Sequence, residues 1–375
     1  MLGPLRRLFG AAPAKPAGGT VLFADQPEYW SYLLPFAERL RDTHGRKIHL
    51  LTCHGDDPLL ADPPDGMTIE NIGKGMGRTM RLAALEAEVF VATTPELGRS
   101  DFPRSRGVGT YVYAPHNLNS IHMVFPPKAF DSYDAFLAAG PHHRREIEIA
   151  AGRPGSRLRH APAVGYPKID DVAARASSGA GDPGLVMIAP TWSPGNLLEA
   201  VGMELVGGLL AAGFRVLLRP HRDLVVARPV YVTAIVDRFG DQPGFLPDPG
   251  PGKGLADAAS LLVTDWSGAA FSFAFGLCRP VLSIDVPPKV LNPDYASFGS
   301  EPLEIAIRSA LGAVLAPALI ADAPAVCRRL IADSVDGETA PRLAALRSEH
   351  LYGFGCAATV GAAFIDGLAA GTVQD

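Results

Sequence analysis

Leu261-Leu262-Val263-Thr264-Asp265-Trp266-Ser267-Gly268 is an apolar strand that ends in hydroxyl and carboxylate side chains and leads into the apolar run Ala269-Ala270-Phe271-Ser272-Phe273-Ala274-Phe275-Gly276. A buried strand feeding a helix is the repeating half of a parallel βαβ sheet. The junction sets Thr264, Asp265, Ser267 and Gly268 beside free backbone N–H groups at a helix start, where the helix dipole favours an anion. A diphosphate is the natural occupant of such a place. Plain helix capping is the alternative reading of the same residues.

Working outward, the same alternation recurs on both sides. Strands are expected at Leu185 to Ala189, Phe214 to Arg219, Ser260 to Thr264 and Val281 to Ile284, with helices through Asn196 to Ala212 and Ser267 to Gly276. Ahead of them, strand-like runs occur at Thr20 to Ala24, Lys47 to Thr52, Met67 to Ile72, Glu88 to Thr93, Thr110 to Ala114 and Ala135 to Ala139, with a helix near Tyr29 to Asp42. Small, turn-forming residues at 172–184 divide the two series and read as a linker. The expected architecture is therefore α/β. Two Rossmann-like domains, residues 20–171 and 185–350, face each other across a cleft, and a helical segment over 351–375 packs back on the first domain. From about Pro302 onward the pattern is helical.

The 375 residues exceed what one core usually holds, in keeping with two domains. Apolar residues make up 47% and charged ones 19%, a balance that excludes disorder as the default state. A formal charge of −5 leaves no footprint for nucleic acid, so an anionic ligand needs a local basic site. Cys53, Cys278, Cys327 and Cys356 are scattered, without metal or redox spacing, and read as reduced core thiols of a cytoplasmic protein. No run of residues is long and apolar enough to span a bilayer. Residues 1–19 read as a flexible terminus; a short interfacial anchor over residues 1–10 is the alternative.

Ligands of open parallel sheets bind beyond the carboxyl ends of the strands, and three further polar clusters fall there. Arg219-Pro220-His221 brings a guanidinium that can grip phosphate oxygens and an imidazole that can donate to a leaving phosphate. Ala189-Pro190-Thr191-Trp192-Ser193 is the second. The third runs from Tyr113 to His122 in the first half, where His116 follows a strand and a proline and is the leading candidate for a general base. Asn117, Ser120 and His122 are its acceptor-side neighbours. His122 and the pair His142-His143 compete for the base role. Metalloprotease, Walker and nucleophile-elbow motifs do not occur. Gly73-Lys74-Gly75-Met76-Gly77-Arg78 lacks the spacing of a phosphate loop and reads as a turn.

Taken together, Ala189-Pro190-Thr191-Trp192, Arg219-Pro220-His221, Leu262-Val263-Thr264-Asp265-Trp266-Ser267 and Asp336-Gly337-Glu338-Thr339-Ala340-Pro341-Arg342 resemble, in order, motifs of the CDP-glycerol glycerophosphotransferases, the teichoic-acid primases and polymerases of glycosyltransferase-B fold. The resemblance is strongest over residues 185–345. It implies a nucleotide-activated donor whose phosphates lie among Thr191, Arg219, His221, Thr264, Asp265, Ser267 and Gly268, with His221 assisting the leaving nucleotide. The first half departs from the family's W-H-G-[TS] motif, reading Pro115-His116-Asn117, and looks like a subgroup found among bacterial surface-polysaccharide proteins.

The expected activity is transfer of glycerol phosphate from CDP-glycerol to a hydroxyl of a surface-glycan or lipid-linked acceptor, without a metal or other cofactor. A glycosyltransferase using a nucleotide-sugar donor is the second expectation, and a non-catalytic nucleotide-binding assembly protein the third. With a lipid-linked acceptor the protein would work at the inner face of the cell membrane.

Overall fold

A strand covered on both faces must be apolar at nearly every position, and this requirement locates the two sheets. The computed structural model describes residues 18–176, 181–248 and 255–373. The first sheet comprises β1 (Thr20–Ala24), β2 (Ile48–Thr52), β3 (Met67–Asn71), β4 (Glu86–Ala92), β5 (Gly107–Tyr113) and β6 (Ala135–Phe136), in the order β3-β2-β1-β4-β5-β6. The second comprises β7 (Asp182–Ile188), β8 (Arg215–Leu218), β9 (Phe245–Pro247), β10 (Ala259–Thr264), β11 (Val281–Ile284) and β12 (Gly312–Leu315), in the order β12-β11-β10-β7-β8-β9. Every pairing in both sheets is parallel. The order of connection reverses between β1 and β4 in one sheet and between β7 and β10 in the other. Those are the crevices that doubly wound sheets use for ligands.

Two chain crossings join the halves. Helix Pro167–Arg175 leaves the first domain and packs on helix Ala269–Leu277 of the second, where glycine at 276 is needed: a Cβ there would lie 2.5 Å from Val172 Cγ1. Helix Thr339–His350 returns the chain, and Tyr352 N–H donates to the Ala139 carbonyl at 2.8 Å. The final helix Ala357–Ala369 then lies on helix Trp30–His44 of the first domain. Its Gly361 would place a Cβ only 2.3 Å from Phe36 Cε1, and Ala362 and Ile365 belong to the same buried core as Leu22, Phe36 and Val91.

Several elements differ from expectation. The residues read as a linker are structured at both ends: Val172 belongs to helix Pro167–Arg175, buried with Ile169 on one face, and β7 begins at Asp182. Alanine and arginine favour a helix once Ile169 and Val172 have a surface to cover. The region after Pro302 is not wholly helical, because Gly312–Leu315 pairs with β11 as an edge strand. Only glycine fits at its start, since a Cβ at 312 would stand 2.2 Å from the Val281 carbonyl oxygen. The run 73–78 read as a turn is mostly helical instead: Gly75 to Arg78 open helix Gly75–Ala83, and only Gly73 and Lys74 lie ahead of it. Cys53 and Cys327 are buried as expected of core thiols, whereas Cys278 is half-buried and Cys356 is exposed. Among the described residues no helix is long and apolar enough to cross a membrane. The anchor reading of residues 1–10 lies outside the described residues.

Candidate active site

The carboxyl ends of the two sheets confront each other across a cavity of about 580 Å³. His116, Asn117 and Asn119 line the first-domain wall, and Thr191, Arg219, His221, Ser267 and Gly268 line the other. Residues from all four strand-end clusters thus meet in one space. The walls are joined along one side by buried bonds: Ser120 N–H donates to Glu304 Oε2 at 2.8 Å, Leu303 N–H to Ser120 Oγ at 2.7 Å, and Asn292 Nδ2 to the His122 carbonyl at 2.8 Å. On the opposite, exposed side Arg222 reaches Gln26 Oε1 and lies 3.9 Å from Glu28 Oε2.

His116 is held in one tautomer. Its Nδ1 lies 2.9 Å from the Thr93 carbonyl oxygen, which can only accept, so Nδ1 carries the proton and Nε2 keeps its lone pair. The ring stacks on Tyr29 at 4.9 Å between centroids and meets Phe125 edge-on at 5.8 Å. Burial lowers its pKa to about 4, and the positive charges of Lys289, His221 and Lys168 act in the same sense. A neutral imidazole with a fixed, unprotonated Nε2 is a proton acceptor at neutral pH.

His221 has the complementary form. It caps helix Arg222–Ala227, its Nδ1 accepting from Asp223 N–H at 3.1 Å, so the proton of the neutral ring is on Nε2. Burial lowers its pKa against the opposing pull of Asp223. Arg219 lines the cavity but is already engaged: its Nε donates to Asp248 Oδ2 at 2.5 Å. A phosphate would share this guanidinium with a carboxylate.

Thr264 and Asp265 do not line the cavity, contrary to their expected place beside a phosphate. Thr264 Oγ1 donates to the Ala189 carbonyl at 2.6 Å, and Asp265 accepts Thr191 N–H at 2.8 Å and Leu197 N–H at 3.0 Å. Both tie the end of β10 to the loop after β7. Burial raises the Asp265 pKa, and the backbone donors oppose that. Ser267 and Gly268 do face the cavity, at the start of helix Ala269–Leu277.

The other histidines are structural. His122 is buried, donating from Nε2 to the Ser300 carbonyl at 3.1 Å with Nδ1 3.2 Å from Glu146 Oε1. Burial opposes its charge, but Glu146 holds its pKa above the usual value. His142 and His143 donate from Nε2 to the Leu118 and Asn119 carbonyls at 2.8 and 3.0 Å, clamping the loop that presents Asn119. Ser120, spent on Leu303 and Glu304, is not an acceptor contact. Arg342 bonds the Ala310 carbonyl and is not part of the cavity wall.

The sequence reading missed Lys289, which stands over the Trp192 ring at 4.3 Å, and the aromatic wall of Tyr29, Tyr32 and Tyr166 with Lys168, whose Nζ donates to Tyr32 Oη at 2.9 Å. Lys289 follows β11 as Thr191 follows β7, so the strand-end rule could have found it. Among the described residues no group of His, Cys, Asp or Glu side chains is placed to hold a metal ion.

No protein-family profile matches the chain, and no curated protein sequence matches it. Solved structures do. The H548A variant of the wall teichoic acid polymerase TagF superposes with a TM-score of 0.60 at 14% identity, covering 95% of this chain and 90% of that one. UDP-GlcNAc 2-epimerase of Methanocaldococcus jannaschii, in complex with UDP-GlcNAc and UDP, gives a TM-score of 0.52 at 11% identity over 88% of this chain and 99% of that one. Another UDP-N-acetylglucosamine 2-epimerase gives 0.56 at 11% identity over 96% and 98%. Two parallel sheets meeting at their carboxyl ends, closed by a returning C-terminal helix and shared with these proteins over nearly their full length, make this chain a member of the glycosyltransferase-B fold.

Proposed function

We propose that the protein transfers glycerol phosphate from CDP-glycerol to a hydroxyl group of a surface-glycan or lipid-linked acceptor. One observation carries the reading: an unprotonated Nε2 on His116 and a protonated Nε2 on His221 belong to opposite walls of one cavity, beside the start of helix Ala269–Leu277. The acceptor oxygen attacks the β-phosphorus of the donor in line and passes its proton to His116 Nε2. The bond from that phosphorus to the bridging oxygen breaks, and CMP departs with this oxygen hydrogen-bonded to His221 Nε2–H. Ser267, Gly268 and the backbone N–H groups beyond them take up phosphate charge. Positioning and fixed donors supply the catalysis, with no cofactor assigned. Similarity of fold to TagF and the motif order both favour this donor.

The test is to incubate the purified protein with CDP-glycerol and a glycan acceptor and to follow CMP. Release of CMP that depends on His116 and His221 supports the reading; release of a nucleoside diphosphate from a sugar nucleotide instead assigns glycosyl transfer. That second reading draws on the fold shared with an epimerase holding UDP-GlcNAc and UDP. A nucleotide that stabilises the fold without turnover identifies a binding protein.

A further inference from the structure

We infer that Lys289 is a direct phosphate ligand, suspended over the end of β10 to hold the group that is transferred between His116 and His221. The inference deepens the proposed function and rests on it.

Topology fixes where the ammonium sits. In the second sheet β10 lies between β11 and β7, paired in parallel with both. Lys289 comes from the segment after β11 and Trp192 from the loop after β7, yet the ammonium is 4.3 Å from the indole centroid. A side chain making that contact must cross the carboxyl end of β10. The residues beneath it are those that start helix Ala269–Leu277, with Ser267, Gly268 and Trp266 in the cavity wall beside it. Two sources of positive potential therefore converge on one place: the positive end of the helix dipole and a lysine.

The lysine is also uncompensated. Among the described residues its ammonium has the indole as its neighbour and no hydrogen bond or carboxylate within ion-pair distance. The other cations of the cavity are committed: Arg219 to Asp248, Arg175 to Asp171 and Asp257, and Lys168 to Tyr32. Lys289 feels Asp223, Asp265 and Glu304 as more distant negative charges, and its own charge weighs on both His116 and His221. Lys289 is half-buried on the cavity wall, and a cation partly withdrawn from water without a counter-charge gains when an anion arrives to pair with it. The indole face orients the chain and supplies part of that compensation while leaving all three N–H donors free. The β-phosphate of CDP-glycerol, esterified by glycerol and so carrying one negative charge, matches the single charge that is missing.

The test is binding, measured by calorimetry with inorganic pyrophosphate, CDP and cytidine on the full-length protein and on Lys289→Met and Lys289→Arg. Lys289→Met keeps the length and the contact with Trp192 but removes the charge, and the thermal midpoint of each variant confirms that it is folded. The expected result is a loss of at least tenfold in affinity for CDP and pyrophosphate in Lys289→Met, with recovery in Lys289→Arg and no change toward cytidine. Lys289→Met binding CDP and pyrophosphate within twofold of the parent overturns the assignment of Lys289 while leaving the proposed function standing. If the parent protein binds neither CDP nor pyrophosphate, both the lysine assignment and the nucleotide-donor reading fall.

Discussion

Gly268 on the second domain is in contact with Asn119 on the first: a Cβ at position 268 would lie 2.8 Å from Asn119 Oδ1 and 3.3 Å from Asn117 Cβ. The backbone at Gly268 is right-handed helical, with φ −60°, so any residue could adopt it. Space, not conformation, requires glycine. Gly268→Ala should push the domains apart at the cavity and lower kcat/KM for the donor about tenfold, with a stability cost of about 1 kcal/mol from overpacking. Asn119→Ala in the same chain should restore part of the loss. A double-mutant cycle with no coupling between the two sites would sink this account.

His116 should set the acid limb of the rate profile far below the usual histidine range. With a folded pKa near 4 against 6.5 for a free imidazole, it stays neutral and active down to weakly acidic pH. The unfolded chain takes up the proton first, so this residue withdraws stability as pH falls from 6.5 toward 4. kcat/KM measured from pH 3.5 to 8 should bend near 4, and His116→Gln should lose about 10²–10⁴-fold in turnover. A bend at 6.5 would show that another group accepts the proton.

Glu304 makes the buried seam between domains sensitive to pH in the opposite sense. Burial raises its pKa from 4.5 to about 7, reinforced by Glu146, with the Ser120 N–H pulling the other way. The folded protein therefore holds a proton that the unfolded chain releases, and the associated stability declines as pH rises from 4.5 through 7. The thermal midpoint of the parent should fall between pH 6 and pH 8.5, after subtraction of the trend in Glu304→Gln, which has nothing to titrate there. Parallel curves for the two proteins would remove Glu304 from the account.

Asp265 and Ser267 are two residues apart and should fail differently. Asn at 265 must turn its amide nitrogen toward Thr191 N–H or Leu197 N–H, leaving a buried donor unsatisfied at a cost of about 1–3 kcal/mol. Ser267→Ala loses only a 3.3 Å capping contact, worth about 0.5 kcal/mol, but removes a cavity hydroxyl. Denaturant unfolding should single out the first variant and the donor KM the second. The reverse pattern would mean that Asp265 touches the ligand.

Most of the architecture was readable because parallel strands covered on both faces are apolar throughout, as in Leu261-Leu262-Val263, and because turns punctuate them. β9 escaped notice: it has three residues, one of them Pro247, too few for any pattern. β12 escaped because Gly-Ala-Val-Leu carries no alternation and gains its place only by pairing with β11. In the site, the strand-end rule found His116, Arg219, His221, Ser267 and Gly268. It could not tell which way Thr264 and Asp265 turn, since that depends on the register of β10 against β7. Nor could it see that His142, His143 and His122 are consumed by backbone carbonyls and Glu146, because those partners lie 20 or more residues away in the chain. Lys289 follows the end of β11 by five residues, within reach of the same rule, but no cluster of polar residues marks the place.

The contacts between the two walls are unequal. Along one border, Ser120, Met123 and His122 are stitched by hydrogen bonds to Glu304, Leu303, Leu291 and Asn292; along the other, Arg222 reaches Gln26 and Glu28 through water-exposed groups. Buried bonds are costly to break and exposed ones are weak and screened by salt. The molecule is thus bound like a book, with a buried spine at Ser120 and a looser, salt-sensitive fore-edge at Arg222.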